Sequence, residues 1–237
     1  MSILPLSLES VSFRVGDRVL LDDVSAEFQS SGRSIILGPN GSGKSLTLRI
    51  AHGILQPTAG QVVWRGAGAA ACAQRQAMVF ERPVLLRRSV LANVEYVLAQ
   101  RGVAQPDRKR RALEALDRTG LVALARQDAR VLSSGEQQRL ALARAWVATP
   151  EVLFLDEPTA ALDPSATRSV EGIIEAIAES GTKIVMVTHD MAQARRLADE
   201  VLFFYQGRLL EQSPADAFFE APKSKEARAF AVGDLLW

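Results

Sequence analysis

The residues best placed to do chemistry are Gly38-Pro39-Asn40-Gly41-Ser42-Gly43-Lys44-Ser45, a complete GxxxxGK[ST] pattern. It lies between a short β-branched run, Ser34–Leu37, and a segment of helical spacing, LTLRIAHGIL. Glycines let the backbone curl so that several N–H groups face one anion, and a helix N-terminus reinforces them. In such a loop Lys44 reaches the β- and γ-phosphates of a nucleotide and the Ser45 hydroxyl ligates Mg²⁺. The alternative is a glycine-rich turn that matches by chance, and the flanking strand and helix weigh against it.

A second cluster closes an apolar strand with two acids, Val152-Leu153-Phe154-Leu155-Asp156-Glu157-Pro158. Strands buried in parallel sheets present ligand groups at their carboxyl ends. Asp156 there suits the Mg²⁺ shell, and Glu157 suits a general base that polarises the attacking water. Acids at a strand end are common, so this cluster gains weight only beside the phosphate loop. A third cluster, Leu132-Ser133-Ser134-Gly135-Glu136-Gln137-Gln138-Arg139, precedes LALARAW. Locally it is a helix start, with Ser133 or Ser134 as N-cap and Glu136 in the first turn.

The elements that must hold these clusters alternate between two periods. Leu6, Leu8, Val11 and Phe13, a turn at Gly16-Asp17 and a stretch from Val19 to Phe28 read as strands, as does Gln61–Trp64. An Ala/Gly-rich stretch, Gly66–Ala73, reads as loop. From Arg82 to Arg130 the chain turns rich in Leu, Ala and Arg at helical spacing, with Pro106 separating two helical patterns. Strand signals return at Val152–Asp156, Lys183–Thr188 and Val201–Tyr205, separated by apolar helices as in a βαβ sheet. Two short helices are expected after Pro214. The fold class is therefore α/β, a core interrupted by a mainly helical insertion.

Composition narrows the function classes. The 237 residues carry 23% charged and 48% hydrophobic side chains, as in an ordinary globular domain. The net charge of +1, with basic residues spread along the chain, gives no footprint of a nucleic-acid binder. Cys72 is the single cysteine and fits a reducing compartment. The opening MSILPLSLESVSF lacks the flanks of a secretion signal, and no apolar run is long enough to span a bilayer.

The order and spacing of these clusters resemble the ATP-binding subunits of ABC transporters. Leu132–Arg139 is similar to their LSGGQ-type signature, Ala161-Leu162-Asp163 to their D-loop and Thr188-His189-Asp190 to their switch histidine. The resemblance covers nearly the whole chain. It implies one domain over 1–237, with an ATP-binding core at 1–80 and 145–237 and a helical, signature-bearing subdomain at 81–144. The sheet is implied to be mostly parallel, with an antiparallel N-terminal part. ATP and Mg²⁺ are the implied cofactors. Two copies are implied to pack head to tail, so that Ser133, Ser134, Gly135 and Glu136 of one copy complete the ATP site built around Lys44 of the other. His189 is the implied γ-phosphate sensor, whereas His52 has no such support and reads as a packing or interface residue.

Three positions depart from the family pattern. Phe80-Glu81 stands where F-Q is usual, so the implied metal ligands are Ser45, Asp156 and Glu81, the last a carboxylate without an amide donor. Val15 aligns with the tyrosine that stacks on adenine; Phe13, two residues earlier and on the same face of a regular strand, is the other candidate, or is simply core. Ser134 replaces a glycine. With no run long enough to span a bilayer, the resemblance implies two separate permease subunits, a substrate-binding protein working with them and a peripheral position at the cytoplasmic side of a bacterial inner membrane. The segments LRIAHGILQPTAGQVVWRG and RQAMVFERPVLLRRSVLANVEYVL and the ending EARAFAVGDLLW look most like the subunits of oxyanion importers, tungstate first, then phosphate or molybdate.

Overall fold

The computed structural model describes residues 2–66, 72–105 and 107–233. Most of the Ala/Gly-rich stretch (67–71), Pro106 and the last four residues of the chain's ending lie outside them. Two sheets form. β1 (Leu6–Val15), β2 (Arg18–Phe28) and β4 (Ala59–Trp64) make an antiparallel sheet in the order β2-β1-β4. β3 (Arg33–Leu37), β5 (Gln76–Val79), β6 (Val152–Asp156), β7 (Lys183–Thr188), β8 (Glu200–Tyr205) and β9 (Arg208–Pro214) make a second sheet in the order β5-β6-β7-β3-β8-β9. It is parallel except for β9, which pairs antiparallel with β8.

The inner strands read as continuous apolar runs because each face meets a different core. Ile35, Leu37, Leu153, Leu155, Ile184 and Met186 point to one side and Ile36, Val152, Phe154, Val185 and Val187 to the other. On the first side lie the helices α4 (Ser134–Trp146), α5 (Pro164–Glu179), α6 (Met191–Leu197), α7 (Ala215–Glu220) and α8 (Lys225–Ala231). On the second lie α1 (Lys44–His52) and the antiparallel sheet. A third core joins α2 (Val90–Gln100), α3 (Asp107–Arg118) and α4 through Val94, Leu98, Leu116, Leu140 and Ala143. α4 serves two cores at once: Leu140, Ala143 and Val147 face the helical unit, while Ala141, Leu142 and Ala145 face the sheet. It therefore runs through the division drawn at 144/145.

β1 departs from regular alternation. Ser10 sits at φ +50° and the pairing with β2 slips between Leu8 and Val11, so the buried series is Leu6, Leu8, Val11. Two more slips flank Phe13. Between Phe13 and Arg14 the extra residue is Leu20 of β2, so β1 itself gains no residue between Phe13 and Val15. Phe13 packs part-buried on the core, whereas Val15, beside the Gly16-Asp17 turn, is 60% exposed. Among the described residues no helix is long and apolar enough to cross a membrane.

Candidate functional site

Sheet order brings the chemical residues together. β3 feeds the glycine-rich loop, its neighbour β7 ends at Thr188 just before His189, and β6 beyond it ends at Asp156. Three adjacent carboxyl ends thus present the loop, the histidine and the two acids on one edge. The loop turns through left-handed glycines. Gly43 has φ +100°, and a Cβ there would stand 2.5 Å from the Leu21 side chain, so both backbone and space require glycine.

Lys44 is 4% exposed and its ammonium donates to the carbonyls of Gly38 and Pro39, each at 2.8 Å. Burial lowers its pKa below the ordinary lysine value, and the Glu157 and Asp156 carboxylates oppose that shift. The Ser45 hydroxyl donates to Oδ1 of Asp156 at 2.6 Å. The other carboxylate oxygen, Oδ2, accepts from Arg49 at 3.0 Å. Glu157 holds φ +48°, an uncommon conformation for a residue with a side chain, and its N–H donates to the Val187 carbonyl at 3.1 Å. That strain is of order 1 kcal/mol or more and recurs at functional positions. His189 Nδ1 lies 2.8 Å from Oε2 of Glu157.

One cleft is lined by Arg18, Leu20, Asn40, Gly41, Gly43, Lys44, Ser45, Leu46 and Glu157. It unites the loop, Ser45 and the candidate base Glu157. Asp156 and His189 adjoin it through Ser45 and Glu157, and Gly38 and Pro39 through Lys44, whereas the implied residues on β1 and at Glu81 do not line it. Phe13 and Val15 are absent from its lining, so the residues flanking the loop mouth come from β2, not from the end of β1. Glu81 is also outside the lining; it is exposed and makes no hydrogen bond or ion pair with the described residues. Its neighbour Phe80 lines a different groove, between β5, α2 and α4, and the Phe80 carbonyl accepts from Gln138 at 3.3 Å.

The signature residues form a helix start of defined chemistry. Ser133, not Ser134, is the N-cap, and Glu136 returns its carboxylate to the Ser133 N–H at 2.8 Å, completing a capping box. The Ser133 hydroxyl, donating to the same carboxylate at 2.7 Å, and then the Ser133 N–H hold the Glu136 pKa below the ordinary glutamate value. Gly135 is buried, and a Cβ on it would come within 2.8 Å of the Ala166 Cβ on α5. Asp163 caps α5, accepting from the N–H groups of Ser165 and Ala166 at 2.8 and 3.0 Å. The same helix end therefore carries the Asp163 cap and the seat for Gly135.

Sequence reasoning overlooked Arg49, Arg18, Leu20 and Leu46. A signal existed for Arg49: it lies four residues after Ser45, so any strand end that meets one side chain on α1 also meets the other. For Arg18 and Leu20 the signal is their place just after the β1–β2 turn, which only the sheet-to-loop packing brings to the cleft.

Known proteins agree with this geometry. A family model described as ABC transporter matches residues 21–160. The tungstate uptake system ATP-binding protein TupC of Peptoclostridium acidaminophilum is 37% identical over 215 residues, 90% of this chain and 99% of that one. The glutamate/aspartate import ATP-binding protein GltL of Escherichia coli K12 is 35% identical over 236 residues, covering 95% and 97%. A solved dimeric structure of a post-hydrolysis state of the ATP-binding cassette MJ0796, bound to ADP and Pi, superposes with TM-score 0.77 at 28% identity, over 89% of this chain and 98% of that one. With the family model spanning more than half of the chain, two relatives spanning nearly all of it, and a glycine-rich loop, acid pair and histidine gathered on one sheet edge, the chain belongs to the ABC transporter family, as an ATP-binding subunit and ATPase.

Proposed function

We propose that this chain is the ATPase subunit of an importer, working as a homodimer with two permease subunits at the cytoplasmic face of a bacterial inner membrane. The observation that carries the reading is the shared placement of Lys44, Ser45, Asp156, Glu157 and His189 at three adjacent strand ends. Lys44 and the loop N–H groups bind the phosphates of ATP; Glu157 takes a proton from the attacking water; His189, hydrogen-bonded to Glu157, orients that carboxylate and faces the terminal phosphate. The oxygens of Ser45 and Asp156 fit Mg²⁺: both are hard donors, they already touch at 2.6 Å, and Asp156 is buried at the strand end. When bound, the ion supplies positive charge to the phosphate oxygens. Glu81 is the proposed third oxygen donor, brought in by movement of its exposed loop.

The signature helix start is absent from the lining of the chain's own cleft. Its capped N-terminus, with Ser133, Ser134, Gly135 and Glu136, suits the ATP of a second copy, and the dimeric cassette among the similar structures supports a dimer. The test mixes two inactive proteins. Lys44→Ala and Ser133→Arg homodimers each lack an intact composite site, whereas the heterodimer has one. Recovery of hydrolysis in the mixture is expected, and none above both parents overturns composite sites.

Import is favoured because two relatives of nearly full coverage are named for uptake and import. Tungstate is our first substrate, then phosphate or molybdate, on the identity to the tungstate relative; the glutamate/aspartate relative stands close behind it. Reconstitution with the cognate permease and a substrate-binding protein decides between them: stimulation of hydrolysis by tungstate-loaded but not glutamate-loaded binding protein is expected, and the reverse pattern refutes the oxyanion reading.

A further inference from the structure

Arg49 stands one helical turn beyond Ser45 on α1, and the two side chains divide the Asp156 carboxylate between them. Ser45 holds Oδ1 at 2.6 Å and Arg49 holds Oδ2 at 3.0 Å. The Asp156 side chain is 5% exposed, while that of Arg49 is 41% exposed, with its Nε buried and unpartnered. Both oxygens are thus fixed from one helix, so the carboxylate plane moves with α1 and the phosphate loop at its start. A guanidinium on a buried carboxylate is also a permanent positive charge beside any other cation that carboxylate serves.

We propose that the charge of Arg49, held on the Asp156 carboxylate, limits how strongly nucleotide binding depends on Mg²⁺. This rests on the reading of Asp156 as a magnesium ligand. Two effects of Arg49 oppose each other: fixing the carboxylate helps a second cation, and like charge hinders it. Ser45 already fixes Oδ1, so the orienting effect of Arg49 is partly redundant, whereas no other described side chain bonds Oδ2 and replaces its charge. Charge repulsion over a few ångströms near a buried carboxylate wins. Without Arg49, Mg²⁺ gains affinity.

The experiment is equilibrium binding of a non-hydrolysable ATP analogue with and without Mg²⁺, expressed as the ratio of the two affinities. Arg49→Gln keeps an amide donor and removes the charge; Arg49→Lys keeps the charge and serves as a second, conservative variant. R49Q is expected to raise the ratio at least about fivefold, with R49K within about twofold of the unaltered protein. Asp156→Asn separates the two ideas. A wild-type ratio in D156N means that Asp156 is not the magnesium ligand. A lowered ratio in D156N with an unchanged or lowered ratio in R49Q overturns the role of Arg49, and so does R49K matching R49Q.

Discussion

His189 Nδ1 and Glu157 Oε2 lie 2.8 Å apart although the residues are separated by 32 positions and sit at the ends of strands β7 and β6. The contact fixes the carboxylate of a residue whose own backbone is held in a left-handed conformation. Such over-determination is expected of a base that must meet one water in one direction. Glu157→Gln retains the size and an acceptor for His189 but cannot take a proton. Hydrolysis should fall at least about a hundredfold while ATP still binds. Turnover assays and size-exclusion chromatography with ATP test this: a slow variant that accumulates as a nucleotide-bound dimer is expected, and near-normal turnover refutes the role of Glu157.

Gly135 and Ala166 provide a second relationship with a measurable cost. A methyl group on Gly135 would overlap the Ala166 Cβ at 2.8 Å, so Gly135→Ala must push α4 away from α5 or strain both. Overpacking of this kind costs about 1–3 kcal/mol. Urea unfolding of G135A, A166G and the double variant reads it directly. The double variant should recover most of the loss, a coupling expected only if the two residues touch. Additive losses exclude the contact.

Much of the core was legible because its signals are local. The apolar runs of β3, β6 and β7 are buried on both faces, so they stand out without any knowledge of pairing. The loop, the two acids and the histidine are legible from their places at strand ends. β5 and β9 were not legible: β5 is short, and β9, RLLEQSP at a sheet edge, shows no apolar alternation, its buried positions being the polar Glu211 and Ser213. The end of β1 was obscured for a different reason. Its bulge at Ser10 and the slips around Phe13 are set by pairing with β2 and β4, and no local pattern in β1 encodes them. The Arg49–Asp156 pair joins residues 107 positions apart, and only sheet order brings α1 to β6.

His52 offers a pH-dependent test independent of nucleotide. It ends α1, its ring meets Phe154 edge-on at 5.5 Å, and its Nδ1 is buried without a partner. Burial holds its pKa below the ordinary histidine value. The unfolded chain therefore takes up a proton at a higher pH than the folded one does. Stability from this residue is fully present above about pH 6.5 and is lost as pH falls below it, by up to about 1.4 kcal/mol per pH unit until the folded form also protonates. Urea midpoints of the unaltered protein and His52→Gln between pH 5 and 7.5 should converge toward the acid end. Parallel curves refute burial of a neutral His52.

Glu81 yields a prediction in which stability and coupling separate. The side chain is exposed, outside the loop cleft, and bonded to none of the described residues, so its exchange for glutamine should leave the unfolding free energy within about 0.5 kcal/mol of the original, read by urea titration. Function is expected to change where stability does not. Phe80, its neighbour, lines the groove against α2 and α4 and its carbonyl accepts from Gln138 of α4, so a movement of the Glu81 loop is expected to reach the helical unit. A carboxylate that approaches the nucleotide is attracted by bound Mg²⁺ and, without the metal, repelled by the triphosphate. Glutamine removes that charge and adds an N–H donor. Glu81→Gln should therefore reduce the Mg²⁺ dependence of ATP affinity, and raise permease-stimulated hydrolysis more than basal hydrolysis. ATP affinity with and without Mg²⁺, and turnover with and without the permease, supply the four comparisons; two proteins alike in all four show that Glu81 never reaches the nucleotide and plays no part in coupling.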